Sequence, residues 1–436
     1  MTAEVAVLNK LAVALAADSA ATLRLSDGLK VYNSVNKLFA LSRHQPVGVM
    51  VFGDAEVFGT PWETVVKAFR VQLGEQSFPT LGMYGDALMD FIERTPLITE
   101  EIRTESFLHI CRLTLRDARD QAEAAANRAA TGRQPTLKQL RQGLDDLIAP
   151  NRAKWRETPL LDGFTNADER DLLKRLDERL EDNLDQVFGG FPILKRQRQD
   201  LRQLQAAIAV RNLTSRYEAG VVVAGFGDDE VYPSLVEYTI HGGVGPRLKR
   251  ARRSEAITAT KPGMIKPYAE REVVDAFLTG SHQEIDDHIS DYWRDITTQF
   301  PDAVLRLVDR FSTLDPQGRA DLRVALAALA EAVQADFRTE LQKVEQHRLE
   351  QPIVRSVAVL PKDELAAMAE SLVNLQSFRR RVSVEDVASV GGEIDVCVIT
   401  KGDGLVWIKR KHYFDAAMNP DWQARTRRIA GNNADR

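Results

Sequence analysis

The order of apolar patterns along the 436-residue chain predicts an α+β protein built as one domain with insertions. Short apolar runs typical of strands occur in the first 60 residues, return near residue 220 and return again after residue 390. Between them lie two long stretches in which apolar residues recur at intervals of three and four, as in amphipathic helices. Two layers of sheet covered by helices would accommodate this order.

The N-terminal strands begin with a predicted hairpin. Glu4–Leu8 and Leu11–Ala17 are mostly apolar and flank a two-residue turn of Asn and Lys. Two shorter strands are expected over 37–41 and 47–52. Because the run Val47–Phe52 is continuously apolar, it predicts a strand that is covered on both faces.

The first helical stretch begins at the Thr-Pro pair of residues 60 and 61, a common helix start. It extends to about residue 212 and contains a stripe that predicts one amphipathic helix with a buried leucine face. The stripe consists of Leu173, Leu176, Leu180, Leu184 and Val187. The second helical stretch runs from Ser281 to about Glu350.

Strand patterns between and after the helical stretches complete the chain. Strands are expected over 220–227, 234–240 and 256–260, and the basic run Arg247–Arg253 is expected to be a solvated loop between them. Pro267–Leu278 predicts a helix. Two last strands, near 394–400 and 405–409, are joined by Lys-Gly-Asp-Gly, a favourable turn sequence.

Composition excludes several classes of function. The net charge of -5 argues against nucleic acid as a partner. The two cysteines, Cys111 and Cys397, cannot form a disulfide framework, which favours a reducing compartment. The histidines and cysteines lack the spacing of a zinc site, and the glycine segments lack the spacing of a phosphate-binding loop, so we expect no metal and no cofactor. Without a signal peptide or an apolar run of about 18 residues, the protein is expected to be soluble and cytoplasmic, with no membrane contact.

The N-terminal segment begins with Thr2, and Asp18 falls 16 residues later. This segment resembles the opening of proteasome β subunits, the HslV protease and the Anbu family, and Asp18 stands where the family places an acid. The Lys-Leu-Phe-Ala-Leu run that begins at Lys37 is similar to the family's lysine-bearing strand, and Gly53-Asp54-Ala55-Glu56 resembles the turn that leads into its first helix.

The C-terminal segment carries the second part of the resemblance. Residues 391–401, Gly-Gly-Glu-Ile-Asp-Val-Cys-Val-Ile-Thr-Lys, are similar to the final strand pair of proteasome subunits. Asp386 and Ser389 have the D-x-x-S spacing that the family uses beside its threonine. The family's serine-glycine step before its third helix would fall near Met264–Ile265, where this chain has no serine.

The resemblance implies an N-terminal-nucleophile (Ntn) hydrolase, a four-layer αββα sandwich, here with two large helical insertions. It implies that Thr2 becomes the nucleophile once Met1 is removed, and that Asp18, Lys37, Asp386 and Ser389 assist it. Alignment with the family points to the backbone N–H of Met50 as the oxyanion donor. A terminal threonine suits this chemistry because its own α-amine, with a pKa near 8, can accept the hydroxyl proton. A nearby lysine ammonium would keep that amine neutral.

The same resemblance sets the expected domain boundaries and partners. Residues 1–74, 213–280 and 351–414 would form the hydrolase core, 75–212 and 281–350 the two helical insertions, and 415–436 a polar tail. The expected function is a threonine peptidase that cleaves peptides or proteins and assembles with copies of itself, as a ring by analogy with the family. A small-substrate amidohydrolase and a non-catalytic assembly protein remain open as alternatives. We also expect the two insertions to pack together as one helical cap.

Overall fold

The fold was determined as a computed structural model. It describes residues 3–25, 28–161, 163–213, 219–244, 247–311, 314–382 and 391–415, together with 418, 419, 421 and 424. The chain forms two compact units, which are described separately. Unit 1 comprises residues 1–22, 257–398 and 408–436, and unit 2 comprises 23–256 and 399–407.

The strands follow the predicted order, with additional short ones. In chain order they are β1 (Ala3–Asn9), β2 (Val13–Ala17), β3 (Ala21–Leu25), β4 (Gly28–Tyr32), β5 (Leu38–Ala40), β6 (Val47–Gly53), β7 (Glu56–Val57), β8 (Thr60–Pro61), β9 (Ala219–Gly225), β10 (Ser234–Val244), β11 (Arg247–Ala256), β12 (Gly263–Ala269), β13 (Asp395–Thr400) and β14 (Gly404–Lys409).

Helices fill the two predicted helical stretches and cover the sheets. They are α1 (Trp62–Leu73), α2 (Leu81–Arg94), α3 (Glu100–Ala129), α4 (Leu137–Glu157), α5 (Asn166–Arg175), α6 (Asp177–Phe188), α7 (Lys195–Val210), α8 (Glu272–Thr279), α9 (Gln283–Val308), α10 (Pro316–Val344), α11 (Gln351–Val357) and α12 (Lys362–Val382). A π-helical turn, Glu345–Glu350, joins α10 to α11. The fold is therefore mixed, with helices and antiparallel sheets.

Unit 1 is organised around the N-terminal hairpin. β1 pairs antiparallel with β2 on one side and with β12 on the other, in a sheet of order β12-β1-β2-β13-β14. Every residue of β1 and β2 is buried, as the apolar runs predict. Side chains of α8, α11 and α12 pack with Val5, Val7 and Ala14 in one hydrophobic core.

The hairpin turn is held by the side chain of Asn9, which is fully buried. Its amide nitrogen donates to the carbonyls of Val357 (3.0 Å) and Leu360 (2.9 Å), and its oxygen accepts from the N–H of Leu11 (2.9 Å) and Ala12 (3.3 Å). The residue that predicts the turn therefore also joins it to the end of α11.

Unit 2 contains the second five-stranded sheet, of order β11-β10-β9-β6-β5. α1 and α2 cover one face of it with a core that includes Trp62, Tyr84 and Phe69. The basic run Arg247–Arg253, expected to be a loop, is instead β11 at the edge of this sheet. An edge strand tolerates charges because one side of its backbone has no strand neighbour.

The first helical stretch, α3–α7, has its own hydrophobic core. The leucine stripe was expected to lie on one helix, and this prediction is wrong. The stripe is divided between two helices, because the chain breaks at Leu176 between α5 and α6. Leu180, Leu184 and Val187 are buried by other helices of the same stretch, including α3 and α7. This stretch therefore buries its own apolar stripe.

Two other expectations concern unit 1 and the hairpin at the end of the chain. Pro267 does not start a helix. β12 continues to Ala269 and α8 begins at Glu272, so the prediction of a helix from Pro267 is wrong. The turn between β13 and β14 is confirmed, and Gly404 adopts a φ of 69°, which favours glycine.

In the part of the chain that the structure describes, no helix is both long and apolar enough to cross a membrane.

Candidate active site

Three of the six predicted site residues fall outside the described residues: Thr2, Asp386 and Ser389. The other three, Asp18, Lys37 and Met50, are described. Asp18 belongs to unit 1, and Lys37 and Met50 belong to unit 2.

Asp18 directly follows β2 and is fully buried. Its two carboxylate oxygens accept from different segments of the chain. Oδ1 accepts from the N–H of Ala3 (3.1 Å) and Oδ2 accepts from the N–H of Gly391 (3.0 Å). The N–H of Asp18 in turn donates to the carbonyl of Ala3 (3.0 Å). This acid therefore fixes the first described residue of β1, the neighbour of Thr2, against the segment that leads into β13.

Ser19 continues the same connection. Its N–H donates to the carbonyl of Gly391 (3.2 Å), and its hydroxyl donates to the carbonyl of Glu393. Gly392, between these acceptors, adopts a φ of 79°, a conformation that disfavours residues with a Cβ. The Asp-Ser pair and the Gly-Gly pair, far apart in sequence, thus form one hydrogen-bonded junction.

Lys37 and Met50 lie on neighbouring strands of the unit 2 sheet. Lys37 immediately precedes β5, is nearly fully buried, and accepts a hydrogen bond at its carbonyl from the N–H of Val51 (2.9 Å). Met50 is fully buried and stands opposite Leu38 on β5 and Val222 on β9. Lys37 therefore lies one residue before Leu38, the residue that stands opposite Met50 in the sheet.

Sequence reasoning missed a polar cluster at the end of β12. In the β1–β12 register, Ala269 stands opposite Ala3, so the next residue, Glu270, follows at the same end of the strand pair. Glu270 is buried and forms an ion pair with Arg380 of α12. Its carbonyl accepts from the side-chain amide of Gln376 (2.5 Å). Ala269 has a φ of 54°, which is unusual for a residue with a Cβ.

The only sequence signal for this cluster was an acid just before a helix, which is too common to single out. Met264 and Ile265, where the serine-glycine step was sought, lie within β12 opposite Leu8 and Val7. The entry into the following helix is instead at residues 269–271.

Cysteine and metal chemistry gain no support from the described residues. Burial, with a smaller effect of Asp395, raises the pKa of Cys397 to about 12. Burial also raises the pKa of Cys111. Neither thiol is therefore a thiolate nucleophile at neutral pH. Among the described residues, no group of His, Cys, Asp and Glu side chains is arranged to hold a metal ion.

Comparisons with known proteins assign no family. No protein-family model matches the chain, and no curated protein matches it. Among solved structures, the chain is similar to Anbu (ancestral beta-subunit) from Yersinia bercovieri, with 11% identity over 98% of this chain and 96% of that chain. The TM-score is 0.24, which is too low to establish a common fold. Membership of the proteasome-like family is therefore a proposal, argued from the residues below.

Proposed function

We propose that the protein is a threonine peptidase of the proteasome-like Ntn-hydrolase class. The observation that carries the proposal is the pair of hydrogen bonds from Ala3 and Gly391 to the buried carboxylate of Asp18. They anchor the residue next to Thr2, and a weak hydroxyl nucleophile must be held in a defined position to react. The proposed fold is the four-layer αββα sandwich, with residues 1–74, 213–280 and 351–414 as its core.

The proposed chemistry uses the chain terminus itself. After removal of Met1, the α-amine of Thr2 accepts the hydroxyl proton, and the hydroxyl oxygen attacks the carbonyl carbon of a peptide. The protonated amine then gives the proton to the leaving amine, and an ester to Thr2 forms. Water attacks this ester with the amine again as the base, which releases the acid product and restores Thr2.

The remaining residues would support this reaction. The ammonium of Lys37 would favour the neutral α-amine and stabilise the developing alkoxide. Asp18, Asp386 and Ser389 would orient these groups.

The oxyanion role of Met50 has the least support from the local geometry. The N–H of Val51 donates to Lys37 on β5, and the N–H groups of successive residues in a strand alternate in direction. The N–H of Met50 is therefore directed towards β9. To act as the oxyanion donor, this N–H would have to give up its pairing with β9.

Labelling with a peptide epoxyketone tests the proposal. This reagent reacts with both the hydroxyl and the α-amine of an N-terminal threonine. We expect the intact mass of purified protein to lack Met1 and to increase by one reagent molecule, with fragment masses placing the adduct on Thr2.

Two variants serve as matched controls. Thr2→Ser keeps a hydroxyl and should still be labelled, whereas Thr2→Ala should not. Retention of Met1 in protein from cells, or labelling that persists in Thr2→Ala, would refute the proposal and favour a non-catalytic assembly protein. Cleavage of small amides with no cleavage of peptides by the labelled form would favour the amidohydrolase alternative.

A further inference from the structure

A buried ion pair lies at the end of β12. Glu270 and Arg380 form it, and their side chains are 7% and 12% exposed. The pair joins the segment after β12 to the last turn of α12, and both belong to unit 1. The amide of Gln376 on the same helix donates to the carbonyl of Glu270. The carboxylate of Glu270 is therefore held in a defined place.

The sheet register brings this carboxylate to the beginning of β1. Ala269, the last residue of β12, stands opposite Ala3, the first residue of β1. Ala3 directs both its N–H and its carbonyl to Asp18, on the β2 side. Ala3 and Ala269 are therefore a pair without mutual hydrogen bonds, and in an antiparallel ladder the next pair is hydrogen-bonded. That next pair would consist of Thr2 and Glu270.

The usual ladder acceptor is already engaged at this point, because the carbonyl of Glu270 accepts from Gln376. Ala269 has a φ of 54°, which lies outside the β region and ends the strand. Such conformations persist where the surroundings impose them, and they are concentrated at functional sites. The carboxylate of Glu270 is the stronger acceptor that remains. Its Oε2 accepts from Arg380, and its Oε1 accepts no hydrogen bond from the described residues.

We propose that Glu270 orients the α-amine of Thr2 by accepting a hydrogen bond from it, and that Arg380 offsets the charge of the carboxylate. The inference rests on the proposed function, in which this amine is the base. In a continued strand the backbone nitrogen of residue 2 is directed away from Asp18 and towards residue 270, because successive residues alternate in direction. The Cα atoms of residues 2 and 270 would then be about 5.5 Å apart, within reach of a glutamate side chain.

An ion pair suits this role better than a lone carboxylate would. A lone carboxylate beside an amine favours the ammonium form, which cannot accept a proton. Arg380 opposes this effect, because a guanidinium disfavours a second positive charge nearby. The pair therefore offers the amine a charged acceptor with little change in the pKa of the amine. Removal of either partner should shift that pKa, and the two removals should shift it in opposite directions.

The other titratable groups of the neighbouring elements stay the same in every variant tested. They are Asp18 after β2, Glu4 on β1, Lys266 and Tyr268 on β12 and, in the proposed function, Lys37 and Asp386. Their effects on the amine are common to the wild type and the variants. A difference in the pKa of the amine therefore reports on the pair formed by Glu270 and Arg380.

Titration of the α-amine tests the proposal in the full chain with Thr2 as its first residue, prepared with a removable leader peptide if Met1 is retained. The rate at which a trace of acetic anhydride acetylates this amine, followed against pH by mass spectrometry of the N-terminal peptide, gives the pKa. We expect Glu270→Gln to lower the pKa of the amine and Arg380→Met to raise it, each by at least about 0.5 unit, because each leaves one charge without its partner.

A second ion pair between the same parts of the chain gives the matched control. Glu272 of α8 and Arg379 of α12 pair at 3.5 Å, and their side chains are 51% and 41% exposed. Glu272→Gln and Arg379→Met should change the pKa of the amine by less than about 0.2 unit, since exposed charges are screened. An unchanged pKa in both Glu270→Gln and Arg380→Met, or a shift in the same direction in both, would overturn the proposal.

The titration needs no peptide cleavage, so it separates this inference from the proposed function. A shifted pKa without an epoxyketone adduct would support the contact between Glu270 and the amine and refute the peptidase. An adduct with an unshifted pKa would do the reverse. A crystal structure of the unsubstituted chain that begins at Thr2 serves where a variant does not fold. We expect the amine nitrogen within about 3.2 Å of a carboxylate oxygen of Glu270, and a separation beyond about 5 Å would overturn the proposal.

Discussion

Asp18 illustrates how one buried polar residue can unite distant segments. It is fully buried, yet its two oxygens accept N–H groups of residues 3 and 391. Buried charges are tolerated when hydrogen bonds replace those lost from water. The hydrogen bonds of Asp18 therefore stabilise the junction between β1 and the segment that leads into β13.

We predict that Asp18→Ala lowers the free energy of unfolding by about 2–5 kcal/mol, because two backbone N–H groups lose their acceptor. Urea unfolding followed by circular dichroism measures this. The matched control is Asp182→Ala, at an exposed position on α6, which should change stability by no more than about 0.5 kcal/mol. Equal stability of the two variants would mean that the Asp18 junction contributes nothing to the fold.

At the scale of elements, close approaches of backbones determine where helices can lie. α3 and α4 pack against each other within the first helical stretch, and Gly143 of α4 faces the backbone of α3. A Cβ at residue 143 would stand 2.5 Å from the carbonyl oxygen of Ala122. Because that oxygen is backbone, only a shift of one helix relative to the other could relieve the contact.

We predict that Gly143→Ala destabilises the protein by about 1–3 kcal/mol, as overpacking does, although alanine favours a helix by about 1 kcal/mol over glycine. Thermal or urea unfolding shows whether the substitution lowers or raises the free energy of unfolding. Gly402→Ala is the control, since its Cβ would meet no atom within 4 Å, and it should be nearly neutral. A gain of stability in Gly143→Ala would show that the helices separate at no cost.

At the scale of the whole molecule, each unit buries one cysteine. Cys397 lies in unit 1 and Cys111 in unit 2, and burial raises the pKa of both thiols, that of Cys397 to about 12. An unfolded thiol has a pKa of about 8.5. Above that pH the unfolded chain releases protons that the folded chain retains, so the folded state loses stability as pH rises.

We therefore predict an alkaline loss of stability between pH 8.5 and about 12, of up to about 1.4 kcal/mol per pH unit for each thiol. Urea unfolding at pH 8, 9 and 10 measures the slope. Cys111→Ala with Cys397→Ala should flatten it, whatever its effect on absolute stability. Identical slopes for this variant and the wild type would contradict the prediction, as would reaction of the native thiols with Ellman's reagent at pH 8.

Local pattern alone was enough to predict the alternation of strands and helices, the N-terminal hairpin and the Lys-Gly-Asp-Gly turn. Alternation, apolar runs and turn residues act over a few residues, so they can be read without knowing what packs against them. The basic run of β11 was misread because an edge position in a sheet, which makes its charges acceptable, depends on strand order. The break at Leu176 was missed because both helices that flank it continue the same leucine spacing.

Of the candidate site, the sequence supplied the residues, through the spacing of Thr2 and Asp18 and the resemblance at both ends of the chain. Only the tertiary structure decided that Asp18 bonds to Ala3 and Gly391 and that Glu270 pairs with Arg380, because these partners are 15 to 373 residues apart. It also decided that the first helical stretch buries its apolar stripe, whereas Tyr292 and Leu307 on α9 stay exposed. A sequence shows that a side chain is apolar, but which surface covers it depends on the packing of elements that lie far apart in the chain.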